Sequence, residues 1–226
     1  MGEQAVSPTE KKIKYYVNFP NLRYAYGEAE IKGRSYVRVT LDGRGRHLRR
    51  RWFRADGAMV TREELQYDDA GKLVRLEVFD EGGARKGFTV FNYPEVNRTV
   101  RHRFDAKSKP TEVIEEVYNK RGFILWEKHQ QVVEHGSLLK TVIKVEYAYP
   151  EPGIRKGDYF DEDGQATHSI VDHFNASSDL LATEKFDTEG EMYFHSEYVF
   201  DAGGRVLERI DTDGGGAVVA RVNYQQ

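Results

Sequence analysis

One turn motif recurs along most of this 226-residue chain. An aromatic residue is followed by Asp or Asn, and a Gly stands three positions after that Asp or Asn. Full copies begin at Tyr67, Phe79, Tyr118, Phe160, Phe186 and Phe200, and weaker copies at Phe91, Phe104 and Phe174. From position 67 to 118, and again from 160 to 200, successive copies are 12 to 14 residues apart. A chain that turns this often folds as short strands joined by hairpins.

Each part of the motif has a physical role. Asp or Asn at the first corner of a type I turn accepts a hydrogen bond from the backbone two residues later. Gly takes the positive φ that a hairpin loop with a bulge requires, and an aromatic ring packs well at a strand end. The remaining residues provide one strand per repeat, so we expect an all-β antiparallel meander of about sixteen strands. A meander of that length forms a large twisted sheet, a ribbon or a closed barrel-like layer.

The segment Phe123–Tyr149 is the one stretch that could be interpreted as a helix. Its second half alternates strictly from Leu139 to Tyr149, which predicts a strand and makes Glu134–Ser137 the turn of a long hairpin. We expect a flexible tail over residues 1–12 and a single β-repeat domain over residues 13–226. The breaker at 150–153, Pro-Glu-Pro-Gly, either subdivides that domain or only caps the hairpin.

The segments Tyr67–Leu73 and Phe200–Leu207 resemble the YD or RHS-type repeats of bacterial envelope and secreted proteins. A looser resemblance, through Phe79–Tyr93, is to MORN-variant hairpin repeats. The first resemblance implies β-hairpin ribbons or shells that serve as surface, toxin-enclosing or partner-binding scaffolds. The repeat spacing varies, and no Asp-Pro-rich motif closes the chain. Independent convergence on Asp-initiated turns remains the alternative.

Composition excludes several classes of function. The chain has no Cys, so a disulfide framework, a zinc–thiolate site and a cysteine nucleophile are ruled out. No apolar run is long enough for a membrane-spanning helix, and no nucleophile elbow or phosphate-binding loop is visible. Asp161–Gly164 and Asp211–Gly214 resemble calcium loops, but turn chemistry alone explains them. The nearby His168, Asp172 and His173 do not share one strand face, so we predict neither a metal nor a cofactor.

Charge is distributed unevenly behind the net value of −3. Residues 1–150 hold 28 bases and 21 acids, a net of +7, whereas residues 151–216 hold 5 bases and 16 acids, a net of −11. Residues 44 to 54 carry six arginines with Trp52 and Phe53 among them. Such a segment suits an anionic partner such as a lipid head group, an acidic glycan or, less favoured here, nucleic acid. Alternatively, these arginines are divided between the two sheet faces and pair with Glu on neighbouring strands.

These observations favour a non-enzymatic β-repeat scaffold or binding protein that presents a sheet surface to a protein or glycan partner. The predicted binding residues are Arg49, Arg51, Trp52 and Trp126, because arginines and tryptophans are effective surface anchors. The alternatives are a hydrolase or lyase acting on an envelope polymer, and a carrier whose curved sheet shelters a lipid or another apolar ligand. The absence of Cys and the envelope-like repeats lead us to expect an extracytoplasmic location in a bacterium.

Overall fold

A computed structural model describes residues 12–17, 25–133 and 138–224. These residues form sixteen antiparallel strands and one 3₁₀ turn, Glu28–Ile31. The strands are β1 Lys12–Tyr16, β2 Tyr36–Leu41, β3 His47–Phe53, β4 Met59–Tyr67, β5 Leu73–Asp80, β6 Arg85–Glu95, β7 Arg98–Asp105, β8 Pro110–Tyr118, β9 Ile124–Val133, β10 Leu138–Ala148, β11 Ile154–Phe160, β12 Ala166–Phe174, β13 Leu180–Phe186, β14 Met192–Phe200, β15 Val206–Asp213 and β16 Val218–Asn223.

The strands lie in the sheet in their order along the chain, from β1 to β16. This confirms the all-β meander, and β9 and β10 confirm that the stretch after Phe123 is extended rather than helical. Among the described residues, β1 and β16 are the first and last strands of this order. The predicted turn at 134–137 lies outside the described residues, as does the predicted tail except for Lys12, which begins β1.

Most of the described turns between strands share one geometry. In Asp187–Glu191, for example, the Asp187 N–H donates to the Glu191 carbonyl, and the Gly190 N–H donates to the Asp187 carbonyl. The Asp187 carboxylate accepts the backbone N–H groups of Glu189 and Glu191 at 2.9 Å each. Gly190 has a φ of +87°, which an L-residue adopts only at a cost. The two backbone hydrogen bonds, the carboxylate acceptor and the positive φ together explain why Asp or Asn and Gly recur at fixed spacing.

Among the described strand pairings, a bulge follows the turn in ten. The extra residue is always the sixth after the first turn residue. The ten extra residues are Leu48, Val60, Val74, Lys86, Leu125, Thr167, Leu181, Tyr193, Leu207 and Val219. Because a bulge places two residues opposite one, it shifts the register of the rest of the hairpin by one position and increases the local twist.

The described chain divides into two compact units. The first unit holds the described residues as far as Phe91 together with Arg103–Pro110. The second unit holds Asn92–His102 together with the described residues from Thr111 onward. The predicted single domain with a subdivision near 150–153 stays a prediction. No helix among the described residues is long and apolar enough to cross a membrane.

The first unit has a small apolar core on one face of β1 and β2. Tyr16, Val37, Val39 and Leu41 are buried there, and the half-buried Trp52 of β3 packs against them. In the second unit the fully buried apolar side chains are Ile114 and Val145. Buried polar side chains also occupy the sheet face of the second unit. For example, the Ser196 hydroxyl donates a hydrogen bond to the Asp211 carboxylate at 2.6 Å. Cross-strand pairing therefore supplies much of the packing.

Candidate functional site

The predicted binding residues of β3 lie on two opposite faces of the first unit. Strand alternation places Arg49 and Arg51 on one face and Trp52 on the other. Trp52 is directly opposite Val37 and packs against the core cluster of β1 and β2. The side chain of Trp52 thus contributes to the core of this unit, whereas Arg49 and Arg51 belong to the other face.

The register brings three arginines into one line on that second face. Arg51 is directly opposite Arg38 of β2 and directly opposite Arg62 of β4. We call Arg38, Arg51 and Arg62 the arginine row. Directly opposed side chains have Cβ atoms about 5 Å apart, and like charges in such positions destabilise a sheet. The arginine row is therefore an arrangement that the isolated sheet does not favour.

Neighbouring arginines show the more usual arrangement. Arg49 is opposite Glu64 and forms an ion pair with it at 2.9 Å. Arg50, on the core face, is opposite Glu63 and forms an ion pair with it at 3.2 Å. These pairs fit the alternative interpretation of the sequence, in which the arginines neighbour Glu on adjacent strands. The arginine row is the exception to it.

Little negative charge compensates the arginine row. Glu64 lies 3.4 Å from Nε of Arg62, but among the described residues no carboxylate forms an ion pair with Arg38 or Arg51. Nε of Arg38 is also buried without a hydrogen-bond partner in this part of the chain. Burial, together with the positive charges of Arg49, Arg38 and Arg62, lowers the pKa of Arg51, and the negative charge of Glu64 offsets part of this effect. An anion bound at the row would relieve the repulsion between its positive charges.

Aromatic rings flank the arginine row on the same face. Tyr36 and Phe53, the next opposed pair of β2 and β3 on this face, are stacked with ring centroids 4.7 Å apart and an interplanar angle of 13°. Beyond the β4 end of the row, the Arg62 guanidinium lies over the Phe79 ring of β5, 4.3 Å from its centroid. This cation–π contact keeps the Arg62 guanidinium close to the sheet. The site is thus a basic strip across three strands with an aromatic pair beside it.

The remaining predicted residue, Trp126, belongs to the second unit. It lies on β9, opposite Val117 of β8 and Glu146 of β10, and is half-buried. The structure therefore brings Arg49 and Arg51 together, but it places Trp52 on the opposite face and Trp126 in the other unit. Arg38 and Arg62 were not among the predicted residues, because only the register shows that they face Arg51.

The second unit contains an acid–histidine cluster that sequence reasoning missed. Nδ1 of His129 lies 3.0 Å from Glu112, and its Nε2 lies 3.5 Å from Glu127. The Tyr147 hydroxyl donates to Glu127 at 3.2 Å. Glu127 and, more weakly, Glu112 raise the pKa of His129, and the hydrogen bond to His129 lowers the pKa of Glu127. Both ring nitrogens of His129 face carboxylates, so the cluster links strands and presents no free catalytic base.

The histidines considered for a metal site have separate partners. His168 stacks on Tyr159, with ring centroids 4.3 Å apart, and Nε2 of His173 lies 3.2 Å from Glu184. Asp172 instead accepts hydrogen bonds from Arg155 and Thr183. In the described part of the chain, no group of three or more acidic or histidine side chains has the geometry to hold a metal ion.

Comparison with known proteins identifies no family. No family model matches the chain, and no curated protein matches its sequence. Among solved structures, the chain is similar to a porin-like protein from Bacteroides uniformis, with 11% identity, 96% of each chain covered and a TM-score of 0.42. It is also similar to TcdB2-TccC3, with 11% identity and a TM-score of 0.31, over 94% of this chain and 11% of that one. Similarity at this level carries no functional assignment.

Proposed function

We propose that this protein is a non-enzymatic binding protein that holds an anionic protein or glycan partner on the arginine row. The observation that supports the proposal is the like-charged line of Arg38, Arg51 and Arg62, in which Arg38 and Arg51 have no ion-pair partner among the described residues. Elsewhere on these strands, arginines are matched with glutamates. A surface that retains uncompensated cations in register has the charge and geometry to bind an anion.

Salt-dependent binding to immobilised heparin, used as a general polyanion probe, tests the proposal. The wild-type chain is expected to be retained at low salt and to elute as salt rises, because its guanidiniums displace counterions. The double variant Arg38→Gln/Arg51→Gln is expected to elute at a clearly lower salt concentration. A matched control, Arg44→Gln/Arg121→Gln, removes the same charge from two exposed turns and is expected to elute close to the wild type.

Two outcomes contradict this proposal. One is a wild-type chain that passes through the heparin column at low salt. The other is an equal loss of retention in the row variant and in the turn control, because binding would then follow net charge rather than the arginine row. Circular dichroism of all three chains establishes whether each variant keeps the β-sheet fold, so that a folding defect is not mistaken for lost binding.

We also propose that the hairpins are YD or RHS-type repeats of a bacterial extracytoplasmic protein. The regular Asx turns and the absence of Cys support this proposal. Fractionation of the native cells tests the location. We expect the protein in the periplasmic or surface fraction, and recovery with cytosolic markers alone would contradict that expectation.

A further inference from the structure

The spacing of the arginine row suits a polymer that carries one acidic group on each short repeating unit. The row crosses β2, β3 and β4 at right angles to the strands, and neighbouring strands lie about 4.8 Å apart. The Cβ atoms of the three arginines are therefore spread over two intervals of about 5 Å each, and the Arg62 guanidinium extends over Phe79 of β5. One sugar of an extended polysaccharide has a similar length, so a chain of uronic acids laid across the strands meets one arginine per sugar.

The chemistry of the row also matches a carboxylate. A guanidinium presents its N–H donors in a planar fork that binds the two oxygens of a carboxylate. The stacked pair of Tyr36 and Phe53 lies beside the row on the same face and offers apolar ring surface to the C–H groups of a sugar. From these features we propose that the arginine row binds an acidic polysaccharide across the strands, with one carboxylate at each of the three guanidiniums. This inference rests on the proposed function.

The position of the row within the sheet favours a glycan over a peptide. An extended peptide bound to a sheet gains much of its affinity from backbone hydrogen bonds at an edge strand. The row lies on β2, β3 and β4, and each of these strands is paired on both sides. A peptide over this face would leave its own backbone groups without partners from the sheet, whereas a polysaccharide needs only charge and ring contacts.

Calorimetric titration with oligogalacturonates of one to six sugars tests this inference on the full chain. Affinity is expected to rise about tenfold with each sugar up to three, because each added carboxylate gains one charge-assisted contact, and then to level off. Arg51→Gln is expected to weaken binding of the trimer about tenfold. The control Arg44→Gln, in an exposed turn, is expected to change it less than twofold. Neutral maltotriose is expected not to bind.

The result that overturns the inference differs from the result that overturns the proposed function. If hexaglutamate or a short single-stranded oligonucleotide binds through Arg51 and oligogalacturonates do not, the polysaccharide inference is wrong. The proposed binding of an anion at the arginine row then still holds. If affinity does not depend on the number of sugars, the spacing argument is wrong. If sedimentation shows a dimer that Arg51→Gln dissociates, the occupant is the acidic segment 151–216 of a second copy, and the polysaccharide inference is wrong. If no polyanion distinguishes Arg51→Gln from the wild type, both proposals fail.

Discussion

Replacement of Arg51 by Gln is expected to stabilise the isolated protein, although it removes a charge from the proposed site. Two unit charges about 5 Å apart repel by about 0.8 kcal/mol in bulk water, and Arg51 has two such neighbours, Arg38 and Arg62. A Debye length of about 8 Å at physiological salt roughly halves that repulsion. Attraction to Glu64 offsets a further part. The net gain is roughly 0.5 kcal/mol, or about 1–2 °C in melting temperature for a chain of this size.

Arg49→Gln is the matched control for this measurement, because Arg49 lies two residues away on the same strand and the same face. Its loss removes the ion pair with Glu64, so it is expected to leave stability unchanged or lower it by up to about 0.5 kcal/mol. Thermal and urea melting of both variants at low salt and in 1 M NaCl is the assay. Arg51→Gln gains stability at low salt, and most of that gain disappears in 1 M NaCl. A loss of stability in Arg51→Gln, or a gain that salt does not change, refutes the reasoning.

Three further predictions concern the turns and the acid–histidine cluster. Gly190→Ala is expected to lower the free energy of unfolding by about 1 kcal/mol, because Gly190 has a φ of +87°. Gly214→Ala is expected to lower it by more, because a Cβ there would lie 2.2 Å from the Met192 carbonyl oxygen. Urea midpoints equal to that of the wild type contradict this. His129 has a raised pKa, so it stabilises the fold fully below about pH 6.5 and less as pH rises through its folded-state pKa. His129→Gln should abolish the pH dependence of stability that His129 contributes. A variant whose stability varies with pH as in the wild type contradicts this role of His129. Millimolar calcium should leave the melting temperature unchanged, because one Asp161 oxygen already accepts two backbone N–H groups; a rise contradicts this.

The sequence was sufficient to predict the strands and turns because the turn interactions are local. The Asp187 carboxylate and the glycine that follows it act within five residues, so their spacing shows directly in the sequence. The acid–histidine cluster was not predictable in this way. Glu112 and His129 are 17 residues apart, and they meet because of the register between β8 and β9. Periodicity gives the face of a side chain on its own strand, but it does not give its neighbour across the sheet.

The bulge at Leu48 shows how strongly the candidate site depends on register. Asp42 pairs with Arg46 across the turn, and continuing that pairing without interruption would place Val37 opposite Arg51. The bulge adds one residue to β3, so Val37 meets Trp52 instead, and Arg51 meets Arg38. Because a one-residue shift exchanges the two faces of a strand, the Leu48 bulge places Trp52 on the core and Arg51 opposite Arg38. A second bulge, at Val60, brings Arg62 opposite Arg51 and completes the arginine row. The position of Trp52 in the core and the Arg38–Arg51 part of the arginine row therefore have one structural cause. A change that removed the Leu48 bulge would place Arg51 opposite Val37, toward the apolar core, and separate it from Arg38.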